Sequence, residues 1–205
     1  KVGNDRFYDY VKKFGFGDKS GIPLNSELSG DISSLTKSGE IFGANGSFGQ
    51  GLTVTPLQLA SAYSAIANDG KLMKPIIIDE KRYVDGRREK TQSETVGQVI
   101  SSDTSRQLQS MLVSVVENHY RAAKVDHYYV AGKTGTAQIP ERGRYSAERT
   151  NHTFAGTAPA SRPQFTLVVK YEEPERQWAE ETAMPVFHDV MKFALDYYGV
   201  EWDKQ

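Results

Sequence analysis

Three runs decide the fold: Tyr128–Ile139 (YYVAGKTGTAQI), Asn151–Ala160 (NHTFAGTAPA) and Gln164–Glu173 (QFTLVVKYEE). Each is rich in β-branched and aromatic residues and bounded by Gly or Pro, the composition of strands. Arg162-Pro163 marks a tight turn between the second and third, and the polar stretch 140–150, PERGRYSAERT, separates the first two. Consecutive strands with short connections predict antiparallel pairing. Working outward, a closing helix is expected, with Pro185 near its start and Phe187, Val190, Met191, Ala194 and Tyr198 on one face. Upstream, residues 101–120 read as a helix capped by Ser101 or Ser102, with Leu108, Met111, Leu112 and Val115 as its apolar face.

Before that, residues 74–90 (KPIIIDEKRYVDGRREK) read as strand and hairpin with Asp85-Gly86 as the turn. In Gly49–Gly70, GQGLTVTPLQLASAYSAIANDG, Thr55 is an N-cap, Pro56 the first helical residue and Gly70 the stop. Leu59, Ala62, Tyr63 and Ile66 form the stripe. Residues 15–47, rich in Gly and Ser, read as a long irregular connection. A short amphipathic helix precedes it, with Asn4 and Asp5 as caps, Phe7, Tyr10, Val11 and Phe14 on its face, and Gly15 as its end. The expectation is an α+β fold, an antiparallel sheet covered by helices, with no second domain and no repeat.

The 205 residues contain no cysteine and a near balance of 25 Lys+Arg against 26 Asp+Glu. Disulfides, thiolate zinc sites, iron–sulfur clusters and a cysteine nucleophile are thereby excluded. A net charge of −1 gives no electrostatic argument for nucleic acid or an anionic membrane as a partner. No apolar run approaches the roughly 18 residues of a membrane span. The opening KVGNDRF is neither a signal peptide nor an initiator methionine, so the chain reads as a piece cut from something longer.

Most of the chemistry sits in Lys133-Thr134-Gly135-Thr136 on the first of the three strands. On a strand edging a cleft, such a lysine supplies a fixed positive charge near a nucleophile and a substrate carboxylate, and the threonine hydroxyl hydrogen-bonds that carboxylate. Glycine lets an extended substrate lie against the strand, and the next amide, of Thr136, can help to hold an oxyanion. The same residues also admit a plainer reading, a bulge between Gly132 and Gly135 carrying a solvated lysine.

The surrounding sequence weighs toward chemistry. Gly49–Gly70, then Gly132–Gln138 about 80 residues on, then TFAGTAPASRPQFTLVV and a final helix opening AMPVF resemble the C-terminal part of a penicillin-binding protein transpeptidase domain. The likeness is to the class B, division-type enzymes. It covers nearly the whole chain, so residues 1–205 are expected to be the C-terminal portion of a single β-lactamase/transpeptidase-like domain. The resemblance implies a D,D-transpeptidase, anchored at the extracytoplasmic face of the bacterial membrane through a segment absent here, that cross-links peptidoglycan stem peptides and binds β-lactams. Its partners would include the missing N-terminal half of the domain and other cell-wall synthesis proteins; it implies no cofactor and no metal. Lys133, Thr134 and Gly135 then stand for the family's third motif, and Thr136 for the oxyanion-hole amide.

The family's other two motifs are not in place. Ser-x-Asn does not occur in the chain, and Ser-x-x-Lys occurs once, as Ser34-Leu35-Thr36-Lys37. With 17 Ser and 14 Lys, about one such spacing arises by chance. Ser34 lies among glycines with no apolar periodicity to bury a helix, and the family's nucleophile precedes the helix represented by Asp5–Phe14. The serine and its lysine base are therefore expected upstream of Lys1, and the chain alone is expected not to acylate.

Other candidates read more simply. His119, His127, His152 and His188 are scattered without metal-ligand spacing, and His152 is weighed as a cleft residue against a hydrogen-bonded structural one. Arg82, Arg87 and Arg88 read as a solvated hairpin, and Glu141, Arg142, Arg144 and Tyr145 as a rim beyond the motif strand. Two further readings share the strand motif: a serine β-lactamase, and a non-catalytic penicillin-recognising sensor or scaffold.

Overall fold

A computed structural model describes residues 2–141 and 143–205. Its framework is a three-stranded antiparallel sheet of β5 (Ala131–Glu141), β6 (Arg144–Ala158) and β7 (Phe165–Glu172), in the order β5-β6-β7. The polar stretch expected to separate the first two strands instead continues them, with Pro140 opposite Tyr145 and Glu141 opposite Arg144 after an irregularity at Gln138/Pro140. A hairpin end in solvent tolerates polar side chains on both faces, which removes the alternation a sequence reading needs.

Among the described residues there are five α-helices, α1 (Asn4–Lys13), α2 (Glu40–Ser47), α3 (Pro56–Ala67), α4 (Ser102–His119) and α5 (Ala183–Tyr197), of which the last three pack on this sheet and the first two on each other. Helix α5 packs on β6 and β7, α3 on the same two strands, and α4 against β5. The main core lies under α5, where Phe154, Phe187, Met184, Met191, Leu195, Val116 and Val130 are fully buried. On α5 the buried stripe is Ala183, Met184, Phe187, Met191 and Leu195. Val190 and Tyr198, expected on that face, are exposed. Tyr198 lies past the helix end, its ring 5.4 Å from that of Phe165 at the border of the sheet. On α4 the buried positions are Ser105 and Val116, three turns apart. That axis turns Met111 outward, to 64% exposure.

Two small antiparallel ribbons complete the strands: β1 (Lys71–Met73) with β4 (Thr95–Gln98), and β2 (Glu80–Arg82) with β3 (Arg88–Lys90). The second is the hairpin read from the sequence, with Gly86 at φ 85° in its turn. Its arginines lie in solvent, and Arg82 pairs with Glu80.

Local chemistry explains α3. Thr55 Oγ1 accepts from the Gln58 amide at 3.1 Å and Gln58 Oε1 from the Thr55 amide at 2.9 Å, a reciprocal capping box with Pro56 behind it. Gln58 is itself buried and donates Nε2 to the carbonyls of Asp18 (2.8 Å) and Ser29 (2.7 Å), tying the preceding loop to the helix. Residues 15–47 are less irregular than expected, because α2 lies within them. Its glycines hid it: a Cβ on Gly43 would stand 2.0 Å from the Asn4 side chain, and one on Gly46 2.6 Å from Leu35, so they mark where α1 and the chain before α2 press close. Asn4 does not cap α1. Gly3 holds that position, and Asn4 Nδ2 donates to the Gly39 carbonyl at 3.0 Å.

At the other end, residues 199–205 fold back onto the approach to β5. Tyr128 Oη donates to the Val200 carbonyl at 2.6 Å, and the Asp203 carboxylate accepts from the amides of Tyr129 (2.8 Å) and Ser161 (3.0 Å). This clamp fixes where β5 begins, and with it the residues that follow.

Candidate active site

Strand β5 pairs with β6 alone, so its outer edge is open among the described residues. Along it Lys133 stands opposite Ala155, Thr134 opposite Phe154, Gly135 opposite Thr153 and Thr136 opposite His152. The Thr134 carbonyl receives Lys133 Nζ at 3.1 Å. A strand residue points its C=O and N–H the same way, reversing at each step, so the amides of Thr134 and Thr136 face the same open edge.

Close packing explains the two glycines. A Cβ on Gly132 would lie 2.8 Å from the Phe154 ring, which is itself held by Phe187 at a centroid distance of 4.6 Å. One on Gly135 would lie 2.4 Å from Thr153 Oγ1. Phe154 under the strand therefore requires a bare backbone at 132, and Thr153 requires one at 135.

Tyr120, the residue that ends α4, completes the cluster and was not anticipated. Its hydroxyl accepts from Lys133 Nζ at 2.8 Å and lies 2.8 Å from Thr134 Oγ1, while Lys133 Nζ also donates to Thr134 Oγ1 at 3.1 Å. The ammonium is 5.4 Å from the Tyr120 ring centroid, which with the 2.8 Å contact to Oη puts it beyond the hydroxyl rather than over the ring face. No sequence signal marks Tyr120, since its place depends on where α4 stops and how β5 passes it. Tyr63 of α3 lies nearby; burial, with a smaller contribution from Tyr120, pushes its phenol up to about 12 and keeps it neutral.

His152 is fully buried, its ring nitrogens each 2.9 Å from a threonine hydroxyl, Thr150 and Thr182. It is a hydrogen-bonded structural residue. Burial lowers its pKa, against the Gln177 backbone and the charges of Glu180 and Glu181. Of the expected rim, Glu141, Arg144 and Tyr145 are exposed on the β5–β6 hairpin, and Arg142 lies outside the described residues. Arg149 braces that hairpin with two hydrogen bonds to Glu173, 2.9 and 2.6 Å, and an ion pair to Glu141 at 3.5 Å. Beside it, Asp31, Gly51, Thr53, Gln138, Tyr145 and Asn151 line a cavity of about 380 Å³ continuous with the far end of β5.

Ser34 and Lys37 do not form a nucleophile and base. They fall in and just after a single 3₁₀ turn, Ser33–Thr36; Ser34 Oγ donates to the Gly51 carbonyl, and Lys37 Nζ lies 5.6 Å from the Phe42 ring centroid. Neither contacts the Lys133 cluster.

An antiparallel sheet under helices, with Lys-Thr-Gly on its open edge strand, is the arrangement of the penicillin-recognising acyl-transfer fold. The chain belongs to the penicillin-binding protein transpeptidase domain family, whose model matches residues 1–192. Among characterised relatives it is 37% identical over 208 residues to stage V sporulation protein D of Bacillus subtilis, covering 98% of this chain and 32% of that one. It is 36% identical to penicillin-binding protein PbpB of Mycolicibacterium smegmatis, covering 98% and 33%. Penicillin-binding protein 3 of Mycobacterium tuberculosis, solved with aztreonam and with ampicillin, superposes with TM-scores of 0.88 and 0.89 at 34% and 33% identity. The chain thus spans about a third of the curated relatives and 48% of the solved chains, and the class B likeness seen in the sequence holds.

Proposed function

We propose that the chain is the C-terminal portion of a single transpeptidase domain and supplies the substrate-binding strand of a serine-type peptidoglycan D,D-transpeptidase. The observation that carries this reading is the open edge of β5, where Lys133, Thr134, Gly135 and the Thr136 amide stand together in a chain of this family. A stem peptide ending in D-Ala-D-Ala, or a β-lactam, lies along β5 as an added strand. Thr134 hydrogen-bonds its carboxylate beside the fixed positive charge of Lys133, Gly135 leaves room for its backbone, and the Thr136 amide faces the developing oxyanion. A serine from the rest of the protein attacks the carbonyl and expels D-alanine or opens the lactam; the acyl group then passes to the amine of a neighbouring stem peptide. The working site is placed outside the cytoplasmic membrane, with other cell-wall synthesis proteins as neighbours. No helix among the described residues is long and apolar enough to cross a membrane.

A fluorescent penicillin tests the reading. The full-length protein is expected to form a stable covalent adduct, Lys133→Ala to slow acylation about 100-fold or more, and the 205-residue chain alone to remain unlabelled. An unchanged rate in Lys133→Ala overturns the assignment, and rapid release of the adduct identifies a β-lactamase instead.

A further inference from the structure

We infer that Tyr120 is a positioning residue of the carboxylate subsite, acting through Lys133 and Thr134; this rests on the function proposed above. The argument is a count of hydrogens. A lysine ammonium has three donors and no acceptor. Lys133 Nζ engages all three within the cluster, on Tyr120 Oη at 2.8 Å, Thr134 Oγ1 at 3.1 Å and the Thr134 carbonyl at 3.1 Å. Both hydroxyl oxygens therefore already accept from the ammonium. The 2.8 Å contact between them uses one hydroxyl hydrogen, so the pair keeps one O–H free, held beside a positive charge.

Chemistry decides which. A phenol is a far stronger acid than an aliphatic alcohol, so it is the better donor, and the alcohol is the better acceptor. Tyr120 donates its O–H in a hydrogen bond to Thr134 Oγ1, and the Thr134 hydroxyl, with both lone pairs taken, is left as a donor only. An anionic oxygen fits such a group, whereas a neutral acceptor gains less from it and a donor is refused. Tyr120 thus sets the subsite's preference for a carboxylate over an uncharged terminus without touching the ligand. Its ring lies edge-on to Phe154 at 6.0 Å, so tyrosine to phenylalanine keeps the packing and removes only the hydroxyl.

The experiment uses the full-length protein and two probes, a penicillin with its free carboxylate and the methyl ester of the same penicillin. Tyr120→Phe is expected to lower the acylation efficiency of the acid about 10- to 100-fold, the effect of a lost hydrogen bond near a charge. For the ester the change is expected to stay within about twofold, at an unchanged melting temperature. Equal losses for acid and ester, or no loss for either, overturn the role of Tyr120. Thr134→Val, measured alongside, should collapse the same acid-to-ester ratio; a preserved ratio counts against the donor assignment. Lys133→Ala separates the two claims: if it leaves acylation intact, the proposed function itself falls, whereas a large loss there beside a neutral Tyr120→Phe removes only the positioning role.

Discussion

At Gly132 a single methyl group meets the fully buried Phe154 ring, which Phe187 prevents from moving aside. Gly132→Ala is therefore expected to destabilise the fold by about 1–3 kcal/mol, the usual cost of overpacking, readable by urea denaturation of the chain. His152 has a pH signature. With its folded pKa below the ordinary 6.5, the unfolded chain takes up a proton first as pH falls. Stability contributed by the neutral ring is fully present above about 6.5 and is lost as pH drops toward the folded pKa. His152→Gln should flatten the dependence of unfolding free energy on pH in that window; a slope identical to wild type would show that another group is responsible. Lys133 and Thr134 are legible in the sequence because their chemistry is contained in three adjacent letters. Tyr120 and Thr182 are not, since each reaches its partner from another element.

Elements with strong local signals follow the sequence closely. Thr55 and Pro56 open α3 because cap and first-turn proline are set by the residues themselves, but the helix ends at Ala67, short of Gly70: Asp69 takes the left-handed turn at φ 51°, and the Gly70 amide closes it on the Ala65 carbonyl at 2.8 Å. Thr55→Ala is expected to cost about 1 kcal/mol. Gln58→Leu should cost more, because it strands the carbonyls of Asp18 and Ser29 as well as opening the cap; equilibrium denaturation of the two variants compares them. The three strands were legible from composition, and their order followed from short connections. The α2 helix was not legible, because its glycines serve contacts with α1 and Leu35 rather than helix propensity. Faces of α4 and α5 were read a fraction of a turn away from the truth, since an apolar residue such as Met111 or Val190 contributes equally to the stripe on either side until packing selects one.

Over the whole molecule, the segment leading into β5 is held by the far end of the chain, through Asp203, Val200 and the Lys204 amide, which donates to the His127 carbonyl at 3.1 Å, while Lys204 Nζ pairs with Glu117 of α4 at 2.8 Å. Asp203→Ala is expected to lower stability by about 1–3 kcal/mol, because it leaves the Tyr129 and Ser161 amides without their carboxylate. It should also raise hydrogen exchange across residues 128–136 before it does so in α3; uniform protection loss would argue against a local clamp. The one-sided pairing of β5 has a consequence for descent. The constraints of folding fall on the contacts with β6, where Gly132, Gly135 and Phe154 admit little change, while the edge left open among the described residues answers, on the function proposed above, to the ligand. Selection for a new binding preference therefore has ground to move on, at Thr136 and Ala137 and along the cavity beyond them, without each step having to pass through a lineage of poorly folded intermediates.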